Sequence, residues 1–164
     1  RDGKVASMIV RNALQQDAPG MAGLLNEIIA IGGATAHERP TDAAKTRHYA
    51  IDGPDVLSSV LAEEGGSILG WQSVEQFQGE PHIGTYVRPG VQAKVIGAAM
   101  FAITLEALKS RGVRHVIASI RADNAPGLAY YARIGFRDIG HEPDFALEDG
   151  RKVGRVHRRF DLNV

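Results

Sequence analysis

Between Tyr86 and Gly97 the chain reads Tyr86-Val87-Arg88-Pro89-Gly90-Val91-Gln92-Ala93-Lys94-Val95-Ile96-Gly97: an extended run, a Pro-Gly turn, then a helical pattern. A strand that turns directly into a helix leaves the first helical N–H groups without internal partners and aims the positive end of the helix dipole at one point. Anions, phosphates in particular, bind at such points. The surroundings agree, since no aspartate or glutamate occurs from Pro81 to Leu105 while Arg88 and Lys94 flank the turn. An ordinary strand-to-helix connection would look similar, so the segment by itself leaves both readings open. Groups able to move a proton lie on either side: His82, Glu75 and Glu80 upstream, Tyr130 and Tyr131 downstream. A histidine, with an ordinary pKa of about 6.5, suits proton removal at neutral pH, and a phenol near 10 suits proton donation to a weakly basic leaving group. The histidines show no metal-ligand spacing, and no metal is expected.

These residues need elements to position them. Met8-Ile9-Val10 reads as a strand; Asp17 then stands at an N-cap position, with Pro19 in the first turn and Met21, Leu24, Leu25, Ile28 and Ile29 at helical spacing. Gly32-Gly33 stop that helix, Thr41-Asp42 cap a short second one reaching about Ile51, and Ala34 to Arg39 is a loop between them. Val56–Glu63, Ile68–Phe77 and His82–Val87 form an antiparallel meander, with Gly65-Gly66 supplying a tight turn. Met100, Phe101, Ile103, Leu105 and Leu108 give the next helix a broad apolar face, His115–Ile120 is a strand, and Asn124 caps a helix closed by Gly135. Arg155–Leu162 makes a last strand, or one of two. The order is α+β in the first half and βαβα in the second.

Composition narrows the field. At 164 residues one domain from Met8 to the end is expected, behind a polar lead-in over 1–7. Lysine plus arginine equal aspartate plus glutamate at 19 each, and the basic stretch Arg151 to Arg159 lacks interleaved aromatics, so neither nucleic acid nor an anionic membrane is an expected partner. No apolar run is long enough to span a bilayer, and the opening residues lack the apolar core of a signal peptide. With no cysteine there is no disulfide framework, thiolate metal site or cysteine nucleophile, which fits a cytoplasmic protein. Nothing in the sequence bars a homodimer.

Aligned on Gly97, the segment resembles the pyrophosphate-binding signature of the GNAT N-acetyltransferase superfamily, Q/R-x-x-G-x-G/A, with Gln92 and Gly97 in place and Val95 where the first glycine belongs. A second match lies downstream, where Asn124 and Tyr130-Tyr131-Ala132-Arg133-Ile134-Gly135-Phe136 resemble the family's asparagine and its aromatic-tyrosine-x-x-x-glycine-phenylalanine end. Within the superfamily the likeness is to phosphinothricin and methionine-sulfone acetyltransferases, whose first inter-helix loop reads like Ala34-Thr35-Ala36-His37-Glu38-Arg39-Pro40.

The resemblance implies a mixed sheet with splayed central strands and, as co-substrate, acetyl-CoA. Its pantetheine would lie between the strand ending at Val87 and that ending near Ile120, next to Tyr86. Its pyrophosphate would meet the backbone of Gln92, Ala93, Lys94, Val95, Ile96, Gly97 and Ala98, and Asn124 would hold the pantetheine arm. The acceptor would be the amine of a small molecule. Tyr131 would donate a proton to the departing thiolate, and the N–H of Val87 would polarise the thioester carbonyl. The base would be His82, standing where the relatives carry glutamate, with Glu75, Glu80 or a chain of solvent as alternatives. Arg39 would receive an acceptor carboxylate, unless it is a plain surface arginine, and Trp71 either fills the core or lines the acceptor cleft. Val95 opposes close backbone approach by its β-branch. It motivates a rival reading, a GNAT-fold binding module without catalysis; a protein-modifying acetyltransferase is a third.

Overall fold

The computed structural model describes residues 7–163, so most of the lead-in lies outside it. Seven strands, β1 (Ile9–Asn12), β2 (Val56–Glu64), β3 (Ser67–Phe77), β4 (Glu80–Val87), β5 (His115–Arg121), β6 (Arg137–Glu142) and β7 (Arg155–Asp161), form one sheet in the order β1-β2-β3-β4-β5-β7-β6. All neighbours are antiparallel except β4 and β5, whose parallel register consists of the single pair His82↔Ile117. Beyond that pair the two strands part. The expected mixed sheet with splayed central strands is present.

Helices cover both faces. On one, α1 (Ala18–Ile31) buries Met21, Leu24, Leu25 and Ile28 against Leu61 and Trp71. Asp17 precedes it but does not cap it: its carboxylate takes both guanidinium nitrogens of Arg11 at 2.8 Å and the N–H of Leu14 at 2.7 Å, pinning β1 to the helix entry. After the loop, Asp42 caps α2 (Ala43–Thr46) by accepting from Lys45 N–H, and the chain closes with a wide π turn over Arg47–Ile51. On the other face, α3 (Ala93–Ser110) buries Ile96, Met100, Phe101 and Leu108, and α4 (Ala125–Arg133) buries Tyr131. They pack on Val74, Ile83, Val116, Ala118 and Ile120, the β-strand residues whose side chains alternate onto that face.

Two boundaries differ from expectation for physical reasons. α3 starts at Ala93, inside the segment read as a turn, because nothing from Ala93 to Gly97 breaks a helix once Gly90 has made the turn at φ +83°. The second possible closing strand is real: β6 is exposed along its whole length, so it carries no apolar alternation, and pairing with β7 alone holds it in the sheet.

Candidate functional site

The parting of β4 from β5 opens a gap in the sheet, and a cleft of about 400 Å³ runs through it. Ile28 and Ile31 of α1, Thr85 to Val87 of β4, Ala93 and Lys94 of α3 and Asn124, Tyr130 and Tyr131 line it. Most of the residues expected to meet the cofactor are thus brought together. At its floor, Arg88 N–H donates to Leu69 O at 2.7 Å on the β3 side, so strand alternation turns the Val87 N–H the other way, into the opening.

At the α3 end of the cleft the N-cap Gln92 makes no side-chain cap and no acid occupies the first turn. The N–H groups of Ala93, Lys94 and Val95 are therefore free, whereas Ile96 N–H already donates to Gln92 O at 3.1 Å. Ile96, Gly97 and Ala98, expected as backbone donors, spend their N–H groups inside the helix. Val95 has an ordinary helical φ and a half-exposed side chain, so its β-branch does not crowd the cleft. Gly97 is required for another reason: a Cβ there would lie 2.5 Å from the Tyr130 ring, whose hydroxyl donates to Gly97 O at 3.0 Å. Arg88 does not stand free beside the turn, since it donates to Ile68 O and to Glu27; Lys94 and Arg133 are the cations that line the cleft.

The two faces of the opening carry different chemistry. On the α3–α4 face Tyr131 is buried, and its hydroxyl meets Thr85 Oγ1 at 2.9 Å. Thr85 belongs to a network centred on the fully buried Gln72, which accepts from Thr104 Oγ1 at 2.6 Å and donates to Thr85 Oγ1 at 2.9 Å and Tyr130 Oη at 3.1 Å. Thr85 accepts from Gln72 through one lone pair, and when its own hydrogen points to Tyr131 Oη the phenol hydrogen is freed for the cleft. Burial raises the Tyr131 pKa well above the ordinary phenol value and pushes that of Tyr130 up to about 12, so both are protonated at neutral pH.

On the α1–α2 face stand His82, Gly84 and Tyr86 of β4, opposite Glu75, Ser73 and Trp71 of β3. Burial lowers the His82 pKa, only partly offset by Glu80, and raises that of Glu75. Both are biased toward their neutral forms. Glu80 itself sits 3.4 Å from His115 at the paired end of β4, two residues further from the opening than His82. Tyr86 Oη meets His37 Nε2 at 2.9 Å, and His37 lines two further cavities of about 410 Å³ each. Trp71 does both things open to it: it fills the core, bonded through Nε1 to Met21 O at 3.0 Å, and lines one of these cavities. Arg39 does not join them. Its side chain is 81% exposed and paired with Glu148, and no cavity here includes it.

Asn124 ties the two sides together. Its Oδ1 caps α4 by accepting from Gly127 N–H at 3.0 Å, and its Nδ2 donates to Ala34 O of the inter-helix loop at 3.3 Å. Sequence reasoning missed Gln72 and Thr85, because only strand register reveals which β3 and β4 side chains share a face, and His37, because the partner of a loop residue is set by tertiary folding. Among the described residues no cluster of histidines and carboxylates could hold a metal ion, and no helix is long and apolar enough to cross a membrane.

The sequence profile of the acetyltransferase (GNAT) family matches residues 21–136, which span the whole of this site. The chain belongs to the GNAT acetyltransferase family. It is an acyltransferase by that membership, and the free N–H groups of Ala93 to Val95, Lys94 and the Val87 N–H fit acetyl-CoA, the family's acetyl donor. The chain is similar to the L-methionine sulfoximine/L-methionine sulfone acetyltransferase of Pseudomonas aeruginosa, 29% identical with 96% of each chain covered. Among solved structures it resembles a phosphinothricin acetyltransferase from Sinorhizobium meliloti in complex with AcCoA (22% identity, 96% of this chain and 89% of that one, TM-score 0.82). It also resembles an N-acetyltransferase from Staphylococcus aureus Mu50 (18% identity, 96% and 100%, TM-score 0.81).

Proposed function

We propose that the chain is a single-domain cytoplasmic enzyme that moves the acetyl group of acetyl-CoA to the amine of a small, amino-acid-like molecule by direct attack. One observation carries this reading: the best proton donor, Tyr131, lines the gap from one face of the sheet, and the best proton acceptor, His82, stands on the opposite face at the β4 position paired with β5, where the two strands begin to part. Acetyl-CoA supplies the activated thioester. Val87 N–H polarises the carbonyl, Tyr131 gives its hydrogen to the departing sulfur, and neutral His82 removes a proton from the acceptor nitrogen. With no cysteine, no acyl-protein thioester intervenes.

Two cavities of about 410 Å³ beneath the Ala34–Arg39 loop suit a small acceptor and argue against a protein substrate, which needs an open groove. Val95, the departure that motivated a catalytically impaired module, faces solvent and obstructs nothing. The test is calorimetric titration with acetyl-CoA followed by thiol release on L-methionine sulfone and a panel of primary amines. Saturable binding with turnover is expected; absence of binding would overturn the cofactor assignment, and binding without turnover on any amine would favour the module.

A further inference from the structure

On the face that carries His82, a hydrogen-bonded chain runs away from the opening across three strands. Ser119 Oγ meets His157 Nδ1 at 2.8 Å, and His157 Nε2 meets Glu142 Oε1 at 2.6 Å. The sheet register builds it: Ser119 of β5 lies directly opposite His157 of β7, and Glu142 of β6 opposes Arg155, two residues before His157. Ser119 is two residues beyond Ile117, the last β5 position paired with β4, and shares a face with His82. It therefore stands on the β5 edge of the gap. Glu142 is at the exposed outer edge of the sheet, so the chain leads from the opening to solvent.

The arithmetic of the reaction asks for such a chain. An acceptor nitrogen enters as an ammonium with three hydrogens and leaves as an amide with one. Two protons must leave it for solvent, and Tyr131, having protonated the sulfur, recovers one from solvent, so the net release is one. His82 accounts for the first, which comes off before attack. The second comes off as the N–C bond forms and the C–S bond breaks, when the nitrogen has become far more acidic, and His82 is then already charged.

The geometry points to Ser119, polarised by His157 and Glu142, as the acceptor of that second proton. The nitrogen passes its hydrogen to Ser119 Oγ while Ser119 passes its own to His157 Nδ1, and Glu142 holds the resulting imidazolium until the proton reaches solvent. An ionised Glu142 accepts from Nε2–H, which leaves Nδ1 as the bare acceptor that Ser119 requires. The other charged groups on this face around the imidazole are Arg155 and Arg159 of β7, Arg121 of β5, Arg137 of β6 and His82; among the described residues Glu142 is the charged group that bonds it, and Ser119 is its other hydrogen-bond partner. Ser119 would touch substrate; His157 and Glu142 act through it.

This inference rests on the acetyl-transfer reading of the gap, but one of its tests does not need turnover. Imidazole nitrogen shifts of the free protein are expected to show His157 as the neutral Nε2–H tautomer, with that preference weakened in Glu142→Gln. In assays with acetyl-CoA and L-methionine sulfone, His157→Gln and Ser119→Ala are each expected to lower kcat on the order of 10²-fold, with acetyl-CoA affinity unchanged. The double variant should lose no more than either single, as members of one proton path act as a unit. An Nδ1–H tautomer, full kcat in His157→Gln, or losses that multiply in the double variant would each overturn the assignment. Failure of the acetyl-CoA titration would instead overturn the reading beneath it.

Discussion

Replacing Tyr131 by phenylalanine removes one oxygen from the inner wall of the cleft and separates catalytic from structural roles. Structurally the loss is modest: Thr85 Oγ1 keeps its hydrogen bond from Gln72 at 2.9 Å but its own O–H loses the phenol oxygen, and the ring still packs against Phe136 at 5.0 Å. Deleting one neutral hydrogen bond and leaving a part-buried hydroxyl without its acceptor costs about 1–3 kcal/mol. Catalytically the loss is bounded. A thiol pKa of about 8.5 makes thiolate a tolerable leaving group even unprotonated, so the donor's contribution belongs at the lower end of the usual range, about 10²-fold, or about 2.7 kcal/mol of barrier. The expected result is kcat lowered on the order of 10²-fold in thiol-release assays, acetyl-CoA affinity by calorimetry unchanged, and a urea midpoint lowered by no more than that structural cost. Because burial raises the Tyr131 pKa, the wild-type enzyme should show no loss of rate from tyrosine ionisation up to about pH 9. Wild-type kcat in Tyr131→Phe would return that residue to a packing role and leave the departing sulfur to solvent.

His82 must be neutral to take a proton, and its pKa is lowered by burial, so the acidic limb of kcat/KM should fall below about 6.5 in wild type and vanish, with a lower rate, in His82→Gln on the same acceptor; an unaltered profile would move the base to Glu75 or solvent. Gly97→Ala places a methyl 2.5 Å from Tyr130 and should destabilise by about 1–3 kcal/mol in urea unfolding, an effect relieved in Gly97→Ala/Tyr130→Ala. Asp17, with its pKa lowered chiefly by Arg11, stabilises the fold above the unfolded pKa of about 3.9, and that contribution is lost as pH falls through its folded value. Asp17→Asn should therefore cost about 2 kcal/mol at pH 7 and progressively less as pH falls through the folded value, read by thermal unfolding across pH.

Most of the framework was legible because its signals are local. The spacing of Met21, Leu24, Leu25 and Ile28 writes a helix, Gly65 and Gly66 write a hairpin at φ +55° and +80°, and Asn124 caps α4 as its type predicts. The line of the cleft came from the family resemblance, since the strand-to-helix junction at Val87 to Ala93 by itself reads equally as an ordinary connection. What escaped notice depends on register. That Thr85 rather than Tyr86 meets Tyr131, or that Ser119 faces His157, is decided by pairing between segments up to tens of residues apart, and a one-residue slip would reverse each face. Charged residues misled in the other direction. Arg88 and Arg39 looked available in the sequence, yet Glu27 and Glu148 hold them.

The gap between β4 and β5 is bounded by two independently packed layers, α3 and α4 on one face and α1, α2 and the Ala34–Arg39 loop on the other. At the site Asn124, the cap of α4, bonds Ala34 of the inter-helix loop, joining the two layers. Substitutions at Thr41, Lys45, Tyr49 or Phe77, which line the outer cavity, would thus reshape what is accepted without touching Gln72, Thr85 or Tyr131. A lineage built on this plan can drift from one amine to another by changes on a single layer while its donor chemistry stays fixed. Variant libraries confined to the α1–α2 layer should for that reason yield altered selectivity far more often than dead enzyme.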